Sequence, residues 1–185
     1  PDGREQQFRN VPADRRVLLP YPADEAAAAA QQAGHEVGVA DLCFGRQPMD
    51  DLQRRIRAFR PEVVGVSIRN IDNAAYPLTV DYMPRHRELV HTIRATTGAC
   101  VVVGGSGFSI LPEQYMQALG ADFGIRGAGE LAFVALLDAL ADKRNPGNIP
   151  GLVTQHASGD SGPAALLAPA QHAQTADSLR PARQL

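Results

Sequence analysis

A doubly wound α/β fold, with a parallel sheet covered by helices on both faces, is predicted by three features of this sequence. Short apolar runs alternate with longer amphipathic stretches over most of the chain. Glycine-rich turns follow two of the later apolar runs directly. The composition, 44% hydrophobic and 21% charged over 185 residues, is that of one globular domain with a core, plus a tail.

The first strand is read at Val17-Leu18-Leu19 and ends in Pro20-Tyr21-Pro22. Asp24 caps an alanine-rich helix that runs to Ala33, where Gly34 stops it. A second strand spans His35 to Leu42. Pro48 opens a helix to Phe59 with Leu52 and Ile56 one turn apart on its inner face, and Pro61 closes it. The third strand, Val63-Val64-Gly65-Val66-Ser67, is β-branched and reads as buried.

A long loop from Ile68 to Asp81 comes next. The helix from Met83 to Thr96 turns His86, Leu89, Val90 and Ile93 inward. The fourth strand, Cys100 to Val103, runs straight into Gly104-Gly105-Ser106-Gly107. Pro112 to Leu119 is a short helix, Asp122 to Ile125 the fifth strand, and Leu131 to Asp142 the last helix. Five strands and five helices in this order fit the flavodoxin-like arrangement, with a five-stranded parallel sheet in the order 2-1-3-4-5.

Ile149 to Gln155 reads as one more strand or a hairpin arm. From His156 onward the sequence is rich in Ala, Pro, Gly and Gln without periodicity, as in a linker or extended C-terminal tail. The expected division is therefore an N-terminal extension at 1–15, a ligand-binding domain at 16–150, and a tail at 151–185 leading towards a domain outside this chain.

Several function classes are disfavoured. No apolar run approaches the roughly 18 residues that span a bilayer, and the polar N-terminus lacks the apolar centre of a secretory signal. Both features point to the cytoplasm and away from a membrane. A net charge of −2 offers no electrostatic footprint for nucleic acid. Cys43 and Cys100 read as buried small hydrophobes in a reducing compartment, in preference to a disulfide or ligand pair. With no C-x-x-C pair or three-cysteine cluster, the chain cannot hold an iron–sulfur cluster or a thiolate zinc site by itself.

Ligands of open parallel sheets bind beyond the carboxyl ends of the strands, where the strand order reverses. After the first strand, two prolines remove the backbone N–H groups that a flavin phosphate loop uses. That turn has no G-x-G-x-x-G, and the chain has no G-x-x-x-x-G-K-[ST]. The acidic pair and lysine of a phospho-receiver are missing too. On the positive side stand Gly104, Gly105 and Gly107, which serve either a tight turn or the close approach of a bulky ligand. Gly127-Ala128-Gly129-Glu130 repeats the pattern after the fifth strand. Glu130 there reads either as a simple helix start or as a ligand contact.

These residues carry a resemblance. VGVSIRNIDN, VVVGGSGFSILPE and GIRGAGE, in order at successive strand ends, are similar to the N-terminal domain of cobalamin-dependent radical SAM enzymes. The resemblance covers about Arg16 to Gly151. Within that family the SIRNIDN loop and the place of Arg69 look most like the members that methylate tryptophan at C2 in thiopeptide antibiotic biosynthesis.

The resemblance implies cobalamin held base-off, with its nucleotide tail threaded into the sheet. Ser67 would line that slot, and Gly104 and Gly105 would leave it room, so that any side chain larger than alanine at either glycine blocks binding. The implied cofactor contacts are Tyr21 after the first strand, and Ser67, Ile68, Arg69 and Asn70 after the third. Gly104, Gly105, Ser106 and Gly107 follow the fourth strand, and Gly127, Gly129 and Glu130 the fifth. S-adenosylmethionine, tryptophan and an iron–sulfur cluster would belong to the domain outside this chain.

The family's frequent D-x-H-x-x-G histidine, which ligates cobalt from below, is missing: Tyr21-Pro22-Ala23-Asp24 stands there. His35 and His86 read as structural, His91 as solvent-facing, and His156 and His172 lie in the tail. No protein side chain is expected to bind the metal. Arg69, whose guanidinium has no lone pair to give a metal, would lie under the corrin without coordinating. The alternative for Arg69 is a surface pair with Asp72, worth at most about 1 kcal/mol. The function these features favour is the cofactor part of a methyltransferase, not catalytic alone. A non-enzymatic corrinoid carrier or sensor, and a structural module without cofactor, are the rivals.

Overall fold

The computed structural model describes residues 15–20, 24–42 and 46–154. Its sheet is built around β3 (Val63–Ser67) and β4 (Cys100–Gly104), joined in parallel over five rungs. β1 (Arg16–Pro20) and then β2 (Glu36–Ala40) continue the sheet on one side, while β5 (Phe123–Ile125) and β6 (Leu152–Thr154) continue it on the other. The full order is β2-β1-β3-β4-β5-β6. The first five strands are parallel in the order expected from the sequence.

β6 corrects the five-strand expectation. It runs antiparallel to β5, pairing Ile125 with Leu152 and Phe123 with Thr154. Gly151, at φ 80°, turns the chain back. Its carbonyl accepts from the Arg126 N–H at 2.8 Å. The sheet thus extends past residue 150, where the tail was expected to begin. A strand of three residues has too short a pattern to be separated from a hairpin arm by periodicity.

Alternation along the strands sorts side chains onto two faces. Val17, Leu19, Val63, Val102 and Ile125 face α1 (Asp24–Gln32) and α6 (Glu130–Ala141). Leu18, Val64, Val66, Val101 and Val103 face α2 (Pro48–Phe59), α3 (Met83–Thr96) and α5 (Pro112–Leu119). On α2, Leu52 and Ile56 are fully buried. Each such side chain contributes about 1.5–3 kcal/mol by leaving water.

A sixth helix, α4 (Ser106–Ile110), stands where the sequence reads only as a glycine-rich turn. Phe108, completely buried, explains it. Its ring lies over Gly124, where an added Cβ would stand 2.3 Å from the Phe108 Cζ, and it meets Tyr115 edge-on. Packing creates this helix. Its own sequence pattern does not.

Burial pushes the Cys100 thiol up to about 12, with the Asp122 carboxylate adding to the effect. Cys43 lies outside the described residues. His35 is buried with its Nε2 3.4 Å from Asp138, and His91 is exposed. No described helix is long and apolar enough to cross a membrane.

Candidate functional site at the carboxyl edge of the sheet

Residues of β1, β3, β4 and β5, the loops after β3, β4 and β5, and helices α1 and α6 line an open cavity of about 800 Å³ on the α1/α6 face. Its floor is made by residues two apart on adjacent strands: Gly65 and Ser67 of β3, Val102 and Gly104 of β4. Leu19 and Ile125 close the floor laterally, and Glu25, Glu130 and Phe133 come from the two covering helices. Glycines and aliphatic side chains line this slot together with the polar Glu25, Ser67, Arg69, Ser106, Ser109 and Glu130.

Ser67 and Gly104 are Cα partners in the ladder. The Ser67 hydroxyl has no hydrogen-bond partner among the described residues, and the facing position carries no side chain. Two residues back along β3, Gly65 matters as much. A Cβ there would stand 2.6 Å from Leu19 Cδ2 and 3.3 Å from the Phe133 ring, which close under the slot.

Two of the glycines after β4 have a role in packing. Gly105 has φ +99°, and a Cβ on it would lie 2.6 Å from the Ile68 carbonyl oxygen. A Cβ on Gly107 would lie 3.0 Å from the Arg69 backbone. Both positions are bare because the loop after β3 packs on the start of α4. Gly105 lines the slot as well, so its lack of a side chain serves this packing besides any room it leaves for a ligand.

Hydrogen bonds fix the same junction. The Ile68 N–H donates to the Gly104 carbonyl at 2.7 Å, and the Ile68 carbonyl accepts from Gly107 N–H at 2.9 Å. Ser106 Oγ donates to the Arg69 carbonyl at 2.9 Å. Ser109 Oγ donates to the Gly105 carbonyl at 2.8 Å and accepts from Gly127 N–H at 3.0 Å, tying the loops after β4 and β5 together.

Of the residues expected at the site, Ser67, Arg69, Gly104, Gly105, Ser106, Gly127, Gly129 and Glu130 line the slot. Ile68 and Gly107 do not: the Ile68 side chain is buried in the opposite core, and Gly107 is buried within α4. Asn70 lines a neighbouring cavity of about 830 Å³ on the other side of the β3 end. Tyr21 lies outside the described residues. Sequence reasoning passed over Gly65, Ser109 and Phe133. A glycine inside a β-branched strand was the available signal for the first. For Phe133, on a helix apolar nearly all round, no signal existed.

Arg69 is exposed and borders both cavities. Its guanidinium makes no hydrogen bond or ion pair with the described residues. The expected alternative, a pair with Asp72, is not formed; the Asp72 carboxylate accepts the Ala74 N–H at 2.7 Å instead. His86 lines the neighbouring cavity and not the slot. Its Nδ1 is 3.4 Å from the Tyr115 hydroxyl, and burial, partly opposed by Asp81, holds its pKa below the ordinary value. Among the described residues, no histidine lines the slot, and no group of three or more His, Cys, Asp or Glu is placed to hold a metal.

An open, mostly parallel sheet with a glycine-floored slot at its carboxyl edge defines a doubly wound α/β domain with a ligand-sized cleft at its strand ends. A model of the B12 binding domain matches residues 17–137, and the chain belongs to that family. It is 32% identical over 149 residues to tryptophan 2-C-methyltransferase of Streptomyces laurentii, covering 77% of this chain and 24% of that protein.

The radical S-adenosylmethionine methyltransferase TsrM from Kitasatospora setae, solved with cobalamin and a [4Fe-4S] cluster, is 33% identical with a TM-score of 0.71. That match covers 83% of this chain and 30% of TsrM. The structure of TsrM with tryptophan and a SAM analog matches at 32% identity and TM-score 0.69, over 78% and 29% of the two chains. OxsB, a cobalamin-dependent S-adenosylmethionine radical enzyme with aqua-cobalamin bound, shares the fold at 13% identity and TM-score 0.61, over 84% of this chain and 22% of its own. The chain spans about a quarter of the length of the curated relative it matches.

The slot fits the group this family binds. Its volume lies in the range of cofactor sites. Glycines and aliphatic side chains leave room for a bulky group, and the unpartnered Ser67 hydroxyl supplies a hydrogen-bonding group beside them.

Proposed function

We propose that this chain is the cobalamin-holding part of a methyltransferase that moves methyl from S-adenosylmethionine to an aromatic carbon, tryptophan C2, in antibiotic biosynthesis. The similarity to tryptophan 2-C-methyltransferase supports the substrate, and the bare Ser67–Gly104 pair at the end of the slot carries the cofactor reading. Bound cobalamin supplies a cobalt centre that accepts a methyl group and passes it on.

The protein's part is to bind and orient. Ser67, Gly104 and the apolar floor hold the base away from the metal, which is the base-off state. Arg69, the exposed cation at the border of the two cavities, would help hold the corrin and could not ligate its metal, because a guanidinium has no free lone pair. Ser106, Gly127, Gly129 and Glu130 line the mouth through which the nucleotide arm enters.

On this reading the iron–sulfur cluster, S-adenosylmethionine and tryptophan are bound by a further portion of the enzyme; the structures of TsrM contain cobalamin and a [4Fe-4S] cluster, and tryptophan and a SAM analog. The cofactor domain takes in residues 16 to about 154, with 1–15 and the remainder of the chain outside it, and the enzyme works in the cytoplasm. Mixing the 185-residue chain with hydroxocobalamin tests this reading. The chain is expected to emerge coloured from gel filtration and not to methylate tryptophan alone. A colourless product, or turnover without a partner, refutes it.

A further inference from the structure

Ser109 makes two hydrogen bonds of different kinds. Its hydroxyl donates to the Gly105 carbonyl at 2.8 Å, four residues back along α4, a bond that serines in helices commonly make. Its oxygen also accepts from the Gly127 N–H at 3.0 Å, 18 residues further on and in the loop after β5. The first bond engages the hydroxyl's one hydrogen, so the oxygen is left to act as an acceptor only. That acceptor is aimed by the helix and meets a backbone donor of a different loop.

Both ends of this bond are themselves held. Phe108, the neighbour of Ser109 in α4, is completely buried in the core on the α2, α3 and α5 face, while Ser109 lines the slot on the other face. The loop after β5 is gripped by two consecutive amides. Arg126 N–H donates to the Gly151 carbonyl at 2.8 Å on the β6 side, and Gly127 N–H donates to Ser109 on the β4 side. Gly127, at φ 88°, turns the chain between the two. Soon after it α6 begins, and Glu130 and Phe133 of that helix form part of the slot wall.

We infer that Ser109 is a positioning residue, which sets the width of the slot by holding Gly127, and through it the start of α6, against the loop after β4. The inference rests on the cobalamin reading, in which the group that fills the slot is the cofactor's nucleotide arm. Without the hydroxyl the Gly127 amide turns to water, and the exposed loop loses its tether on the β4 side. The loss falls on a group inside the slot and not on a corrin ring lying over the strand ends.

Two corrinoids separate these cases. Hydroxocobalamin carries the nucleotide arm, and cobinamide is the same corrin without it. In the 185-residue chain, Ser109→Ala is expected to weaken cobalamin binding about fivefold by equilibrium dialysis, the range of one neutral hydrogen bond, and to leave cobinamide binding at the parent value. Amide exchange at Gly127, followed by NMR without ligand, is expected to quicken about tenfold. Ser109→Thr, which keeps the hydroxyl, is expected to match the parent in all three measurements. Thr96→Val removes a hydroxyl bonded in the same way to the carbonyl four residues back, but on α3, and is expected to change none of them. Parental exchange at Gly127 in Ser109→Ala overturns the inference, because the hydroxyl would then not hold the loop. So does parental cobalamin affinity, an equal loss for both corrinoids, or a threonine variant that behaves like alanine. A parent chain that binds no cobalamin refutes the cobalamin reading instead, and the exchange at Gly127 still decides whether Ser109 holds the loop.

Discussion

Ser67 and Gly104 face each other on the last rung of the β3–β4 ladder, and the hydroxyl of one lies beside the missing side chain of the other. The opening at the sheet's edge depends on this pair. A Cβ at Gly104 would already stand 3.3 Å from the Ile125 carbonyl oxygen. Gly104→Val therefore directs its methyl groups into the slot, and cobalamin affinity is expected to fall at least tenfold, about 1.4 kcal/mol. Equilibrium dialysis with hydroxocobalamin measures this, and urea unfolding shows whether the fold is retained.

Gly105 behaves differently, because its constraint is within the protein. Gly105→Ala forces a side chain onto φ +99° and against the Ile68 carbonyl. Stability is expected to fall by about 1–3 kcal/mol in urea unfolding. Gly129→Ala, at φ −93° with its nearest contact at 3.6 Å, is expected to be close to neutral. Equal losses at the two positions would refute the packing role given to Gly105.

The fold was largely legible because its signals are periodic. Val63 to Ser67 declared a buried strand, and the helices at 48–59, 83–96 and 112–119 fall where their proline starts and apolar spacing placed them. Two elements were not legible. α4 exists because Phe108 fills the space over Gly124, a tertiary contact that local pattern does not record. β6 is too short to show a period and is held by its pairing with β5.

The candidate site was legible at the strand ends and obscure beneath them. Glycine clusters marked Gly104 and Gly127, yet the pattern did not separate glycines that open the slot from those that seat a neighbouring loop. Gly107 illustrates this: it is adjacent to a slot residue, yet a Cβ on it would meet the Arg69 backbone.

Arg69 is exposed and unpartnered among the described residues, so Arg69→His is expected to change urea stability by less than about 0.5 kcal/mol. With cobalamin bound, the imidazole can offer the metal a lone pair that guanidinium lacks. A changed visible spectrum is therefore expected. An unchanged one removes Arg69 from the lower face.

His86 links stability to pH. Its folded-state pKa is depressed, first by burial and against the pull of Asp81, so the unfolded chain binds the proton more readily. The stability from keeping His86 neutral is present above the ordinary histidine value of about 6.5 and is lost as pH falls below it towards the folded-state value. His86→Phe is expected to flatten this part of the pH–stability curve. The same slope in parent and variant would assign it to another group.

Cys100, with its thiol raised to about 12, is expected to resist iodoacetamide at pH 8 in the folded protein and to react once unfolded, as read by peptide mass mapping.

The most direct measurement is a visible-absorption titration of the purified chain with cobalamin. One equivalent is expected to bind with the spectrum of cobalt released from its benzimidazole, and Gly104→Val to abolish that change. A bound spectrum with the benzimidazole still on cobalt would contradict the account, because the slot beside Ser67 would then be empty of the arm it is built to hold.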